Sequence, residues 1–205
     1  MEVKAALAEL RKLEKKKFDQ TVDLIINLRG IDIRKDNISA VITFPHKIKD
    51  KKICGFLTKK TESVDTISQN EFQLYKDKKA LKKLVKKYDS FIAAAALMPS
   101  VATVFGKILG PAGKMPSPQL GVVMQENDKN IDELVHKIER STRIKMKEAS
   151  IKLSIGKEKM KDEEIIENLM SAYQTITNAL PTKKENVRSV LIKLTMSKPI
   201  RLEIK

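Results

Sequence analysis

Over residues 2 to about 16, Val3, Ala6, Leu7, Leu10 and Leu13 recur between charged positions, spacing that gathers apolar side chains on one face of a helix. The period then shortens to two. Val22, Leu24, Ile26 and Leu28 alternate with Asp23, Ile25 and Asn27, as in a strand with one strongly buried face. Gly30 interrupts it, and Val41 to Phe44 and Ile53 to Leu57 read as two further short strands parted by a Pro45-His46 turn. Beyond Lys59 the organisation changes. Leu81, Leu84, Val85 and Tyr88 mark one face of a Lys-rich helix, which leads into the continuous apolar run FIAAAALM. A run of that length fits a strand buried on both sides, as in a parallel sheet covered by helices. The stretch Gly106 to Gly121, GKILGPAGKMPSPQLG, reads as a loop, and Ile131, Leu134, Val135 and Ile138 mark a helix after it. From about Met146 the first pattern returns. Ile151, Leu153 and Ile155 alternate as a strand; Ile165, Ile166, Leu169, Met170, Tyr173 and Ile176 form an amphipathic helix ending before Pro181. Val190, Ile192 and Leu194, then Ile200, Leu202 and Ile204, alternate as two strands broken at Met196-Ser197-Lys198-Pro199. Antiparallel-style pieces at both ends with a strand–helix block between them point to an inserted domain.

Charge narrows the partner. The chain carries 41 Lys and Arg against 26 Asp and Glu, a formal +15 with a pI near 9.7. Such a surplus favours a polyanion, because each phosphate neutralised by Lys or Arg releases a condensed counterion. The apolar run from Phe91 to Met98 falls far short of the ~20 residues that span a bilayer, so no membrane is expected. The amino-terminal MEVKAALAELRKLEKKK has no secretion-type apolar core. A lone cysteine, Cys54, excludes an internal disulfide and suits a reducing compartment. The expectation is a cytoplasmic protein.

Catalytic chemistry finds little support. GKILGPAGKM superficially resembles a phosphate-binding loop, but Gly113-Lys114 lacks the upstream glycine, and Met115 replaces the hydroxyl that would hold magnesium. The dinucleotide glycine spacing is also missing. Two histidines, His46 and His136, and one cysteine cannot supply the four N/S ligands of a structural zinc site. No nucleophile motif is present, so no enzyme, metal or cofactor is expected. Aromatics make up only 4% and Trp is absent, which disfavours a surface built by base stacking and favours a structured RNA held by shape and backbone hydroxyls.

Three segments carry a family resemblance. KFDQTVDLIINL (Lys17 to Leu28) is similar to the K-F-x-[EQ]-[ST]-V-[ED] strand of the ribosomal L1 family. GKILGPAGKMPSP (Gly106 to Pro118) resembles its signature G-[KR]-[IV]-L-G-P-x-G-x-[ML]-P-x-P, and NVRSVLIKLTMSKPIRLEI (Asn186 to Ile204) its closing hairpin. KKYDSFIAAAALMPSV also matches in pattern, so the resemblance runs from about Lys17 to the end. Lys198-Pro199 and the Gly-Lys-Met-Pro loop look like the archaeal and eukaryotic branch.

The resemblance implies an α/β protein of two domains. Domain I is a discontinuous two-layer α/β unit with a split antiparallel sheet, from residues 1–60 and 150–205; domain II, residues 61–149, is an inserted Rossmann-like three-layer α/β unit. Two chain crossings between domains are expected to permit hinge motion. It further implies a structural component of the large ribosomal subunit that binds rRNA at the mobile stalk and assists release of exit-site tRNA. Repression of translation through the protein's own mRNA, and a monomeric state when free, are also implied. Carried over by position, RNA contacts fall on Lys17, Phe18, Thr21 and Asp23, and on Ser189, Thr195, Met196 and Ser197. His46, Lys107 and Lys114 are possible secondary contacts. From the residues alone, Phe18 is equally a core aromatic and Thr21 a plain strand residue; His46 could cap its turn, and the glycine-rich loop could serve packing. Ser197 stands where the family has Gly, a disfavoured choice if that backbone needs positive φ.

Overall fold

The structure is a computed structural model that describes residues 2–12, 17–32, 38–61, 63–75, 77–118, 120–124, 126–146 and 148–203. Leu13 of the amino-terminal helical stripe and Ile204 of the last strand lie outside them. The chain divides into two units, one from Met1–Ile48 and Arg140–Lys205, the other from Lys49–Glu139.

The first unit is built on a four-stranded antiparallel sheet in the order β10-β9-β1-β8. Its strands are β1 (Thr21–Leu28), β8 (Ser150–Lys157), β9 (Val187–Leu194) and β10 (Ile200–Leu202). Alternation decides the faces. Val22, Leu24, Ile26 and Leu28 are buried on one side, with Ile151, Leu153, Ile155, Val190, Ile192, Leu194 and Leu202. Helices α1 (Val3–Arg11) and α5 (Asp162–Ala179) add Ala6, Leu7, Leu10, Ile165, Leu169, Ala172 and Ile176 to that core. A ribbon of β2 (Ser39–Thr43) and β7 (Ser141–Lys145) adds Ile42. On the other face, Thr21, Asp23, Ile25, Asn27, Ser189, Leu191 and Lys193 stay half-exposed, and Lys152, Ser154 and Arg201 are exposed.

The second unit holds a parallel sheet in the order β4-β3-β5-β6: β3 (Ile53–Phe56), β4 (Asp65–Ile67), β5 (Ser90–Ala94) and β6 (Val122–Val123). All four residues of β3 are buried, so both sheet faces are covered. The helices are α2 (Lys78–Lys87), α3 (Met98–Ala112) and α4 (Asp128–Arg140). An aromatic cluster fills one side: Phe56 stacks on Phe91 at 5.6 Å and meets Phe105 at 4.7 Å, and Phe72 packs edge-on to Phe105 at 5.1 Å.

Three sequence expectations change here. The run FIAAAALM is strand only to Ala94; a 3-10 turn at Ala95–Leu97 follows, and α3 starts at Met98, with Pro99 in a first-turn position where its missing N–H costs nothing. The Gly-rich stretch is helical through Ala112, because Val101, Phe105 and Leu109 bury a continuous stripe that offsets two glycines. The helix stops at Gly113, whose left-handed φ of 70° lets its N–H reach Gly110 O and the Lys114 N–H reach Leu109 O. The stretch Ala95–Ala112 is long and apolar enough to cross a membrane by composition, yet Val101, Phe105 and Leu109 belong to the core. Third, β7 shows little alternation in STRIK but pairs with β2 from Ser39↔Lys145 to Thr43↔Ser141. It therefore belongs to the first unit, whereas β3 joins the second. The crossings thus come earlier along the chain than the pattern breaks near residues 60 and 149.

Candidate nucleic-acid interface

The amino-terminal end of β1 and the turn after β9 are brought together by pairing of residues nearly the whole chain apart. Val22 lies opposite Leu194, which sets Thr21 beside Thr195. The Thr21 N–H donates to Thr195 Oγ1 at 3.1 Å, the Thr195 N–H donates to Thr21 O at 3.1 Å, and the two hydroxyl oxygens are 2.9 Å apart. Thr21 Oγ1 also donates to Asp23 Oδ1 at 3.3 Å, so the hydroxyls and the carboxylate form one polar chain at the strand end.

Gln20 locks the arrangement from below. It is 3% exposed, its Oε1 accepts from the Met196 N–H at 3.2 Å, and its Nε2 donates to Glu158 at 3.3 Å. The Gln20 carbonyl accepts from the Glu158 N–H at 2.8 Å. One buried amide thus ties together β1, the Thr195–Ser197 turn and the end of β8. This residue escaped the sequence reading, since only the register shows what its side chain reaches.

Phe18 and Met196 rise from this frame as large exposed apolar side chains, at 53% and 69% exposure. Phe18 is therefore no core aromatic. Lys17 beside it is exposed. The Ser197 departure also has a structural answer. Among the described residues the non-glycine residue with positive φ is Lys183, not Ser197. Ser197 Oγ instead accepts from the Leu194 N–H at 2.8 Å, and its own N–H donates to Leu194 O at 3.0 Å, so the serine closes the turn with its side chain.

Sheet register supplies the rest of the face. One cross-strand row reads Ser154–Asp23–Lys193, the next Lys152–Ile25–Leu191–Arg201, the third Ser150–Asn27–Ser189. In the third row, Asn27 Nδ2 donates to Ser189 Oγ at 3.0 Å. Partial burial raises the Asp23 pKa above the usual carboxylate value, against the opposing pull of the Thr21 hydrogen bond and the nearby Lys193 charge. Lys152, Lys193 and Arg201 give the face cations, and Asn27 and the serines give it short donors and acceptors. The period-two pattern of each strand held this information, but only pairing puts the strands side by side.

The secondary candidates separate. His46 is committed inside the first unit: its Nε2 lies 2.7 Å from Glu167 of α5, its N–H donates to Asn168 Oδ1, and its carbonyl accepts from Asn168 Nδ2. Asn168 is fully buried and also donates to Ile155 O, so this turn is a structural anchor. Lys114 is a helix cap. Its Nζ donates to Val85 O and Tyr88 O, each at 2.7 Å, at the end of α2, where the carbonyls lack intrahelical partners and a cation is favoured. Lys107 is exposed on α3. No group of three or more metal-ligating side chains occurs among the described residues.

A family model described as Ribosomal protein L1p/L10e family matches residues 10–198. The "Large ribosomal subunit protein uL1" of Pyrobaculum calidifontis is 36% identical over 95% of this chain and 89% of its own length. That of Thermococcus kodakarensis is 36% identical over 91% of this chain and 89% of its length. That of Nanoarchaeum equitans is 33% identical over 94% of this chain and 95% of its length. The chain therefore belongs to the ribosomal protein L1p/L10e family, in an archaeal-type form.

Proposed function

We propose that this protein is a structural component of the large ribosomal subunit and binds rRNA through the open sheet face of its first unit. The observation that carries the reading is the pairing of exposed Phe18 and Met196 with the fixed Thr21–Thr195 hydroxyl pair. Hydroxyls that pair with ribose 2′-OH groups distinguish RNA from DNA. Phe18 and Met196 cover ribose or base faces and exclude water, which strengthens the neighbouring hydrogen bonds. Asp23 keeps one carboxylate oxygen beyond the one that meets Thr21, a suitable acceptor for a ribose hydroxyl. Lys17, Lys152, Lys193 and Arg201 neutralise phosphates, and Ser189 and Ser197 complete the polar rim. On this reading the protein sits in the ribosomal stalk and assists exit-site tRNA release, acts as a monomer when free, and represses its own translation if its mRNA leader mimics the rRNA site.

The test compares binding of a short stalk-type rRNA fragment and an unrelated RNA over a salt series, for wild type, Thr195→Ala and Thr195→Ser. A strong preference for the fragment, lost in Thr195→Ala and largely kept in Thr195→Ser, is expected. Equal binding of both RNAs by all three proteins, with a steep salt slope, would leave only a sticky basic protein.

A further inference from the structure

Helix α2 of the second unit has the sequence KKALKKLVKK, six lysines and no acidic residue in ten positions. Its apolar positions are spoken for, with Leu81 and Leu84 buried in the core of their own unit and Val85 packed against it. The opposite side carries Lys79, Lys82, Lys83 and Lys86, all exposed. These stand at i, i+3, i+4 and i+7, so they form one continuous stripe on a single helix face. Among the described residues none of these four side chains has a hydrogen-bond or ion-pair partner. Lys87, next to the stripe, is used differently: it lies 3.5 Å from Asp65 and donates to Tyr88 Oη.

The stripe works against its own helix. Like charges at i, i+3 and i+4 repel, and Lys79 lies in the first turn, where the helix dipole disfavours a cation. A helix kept only for solubility would mix signs, as α4 does with Asp128, Lys129, Asp132, Glu133, Lys137 and Glu139. We propose that the Lys79–Lys82–Lys83–Lys86 face of α2 is a second RNA-binding surface, which holds the phosphate backbone of an RNA helix without reading its bases. Charge supports a polyanion, since bound phosphates would remove the repulsion and release counterions. Lysines act there as point charges on flexible stems, which suits a backbone contact that tolerates any sequence. An anionic membrane fits less well, because the apolar side of α2 faces the protein core and has nothing left to insert into a bilayer. The surface lies in the unit that does not hold the Thr195 turn, and it stands independently of the interface proposed above.

The probe is a fluorescently labelled RNA duplex of about 20 base pairs with no stalk-type loop, long enough to offer a continuous A-form backbone. Anisotropy titrations over a salt series compare full-length wild type, the quadruple variant K79Q/K82Q/K83Q/K86Q, and a control of equal charge change, K4Q/K12Q/K129Q/K159Q. The quadruple α2 variant is expected to bind the duplex at least tenfold more weakly at low salt, and to lower the log–log salt slope by about 3. Its melting temperature is expected to be equal to or above that of wild type, and its preference for the stalk-type fragment over unrelated RNA is kept. Equal losses in the control variant would mean that net charge alone matters and would overturn the proposal. So would wild-type duplex binding by the α2 variant, or loss of binding to anionic phosphatidylserine vesicles with RNA binding intact. Thr195→Ala changes fragment preference and not the duplex slope, so failure of one surface is distinguishable from failure of the other.

Discussion

Replacing Phe18 with Ala separates an RNA contact from a core role. Phe18 is 53% exposed, and an aromatic side chain offers about 150–250 Å², so about 100 Å² is free to be covered by a ligand. At ~25 cal/mol per Å² that area corresponds to about 2.5 kcal/mol at most. Association and ordering costs reduce what appears in affinity, which leaves an expected loss of about 1–2 kcal/mol, or roughly 5–30-fold. The cost to folding is expected to be near 1 kcal/mol, the middle of the range for point substitutions. A buried Phe truncated to Ala costs about 3–5 kcal/mol, and fully buried Phe105 provides that scale within the same protein. Anisotropy with the stalk-type fragment at fixed salt measures the first quantity, and urea unfolding of Phe18→Ala and Phe105→Ala measures the second. A Phe18→Ala protein that unfolds as readily as Phe105→Ala yet binds the fragment as wild type does would refute the reasoning, and Phe18 would be a packing residue.

Two further outcomes follow from the same frame. Gln20→Leu removes two hydrogen bonds from a buried amide, at about 1 kcal/mol each, and is expected to weaken fragment binding along with stability; Leu10→Ala, a core truncation in the same unit that costs about 2–5 kcal/mol of stability, should bind the fragment more tightly than Gln20→Leu does. Equal fragment affinity in both variants would remove Gln20 from the positioning of the turn. For Asp23, a pKa raised by burial means that the folded state binds the proton more tightly than the unfolded state, so this group lowers stability as pH rises from the usual carboxylate value through the folded one. Asp23→Asn should therefore melt above wild type near neutral pH, with the gap closing towards about pH 3; a gap constant across pH would show that titration has no part in it.

The elements written in strong periodicity were legible in the sequence. The alternation of Val22 to Leu28 is the burial pattern of β1, and the stripe from Ile165 to Ile176 lies on α5. Short elements were not legible: β7 and the two-residue β6 are held by their pairing partners rather than by their own pattern. The Gly-rich segment misled for a related reason. Glycine and proline report local preference, and burial of Val101, Phe105 and Leu109 outweighed it. Gln20 and Lys114 belong to the same class, since a glutamine or a lysine in a string carries no sign of which distant carbonyl or amide it will reach.

Sequence by itself determined the period of each long element, the basic surplus, the missing catalytic motifs and the residues that carry the family resemblance, because these depend on spacing and composition along the chain. Tertiary structure alone decided that Phe18 is exposed, that Thr21 and Thr195 share hydrogen bonds, that Ser197 closes its turn without positive φ, and that His46 and Lys114 serve the fold. Those outcomes depend on register and on which groups packing brings together, whether 174 positions apart as with Thr21 and Thr195, 29 as with Lys114 and Val85, or three as with Ser197 and Leu194. Exposure and partnership are properties of the packed chain, and no local pattern specifies them.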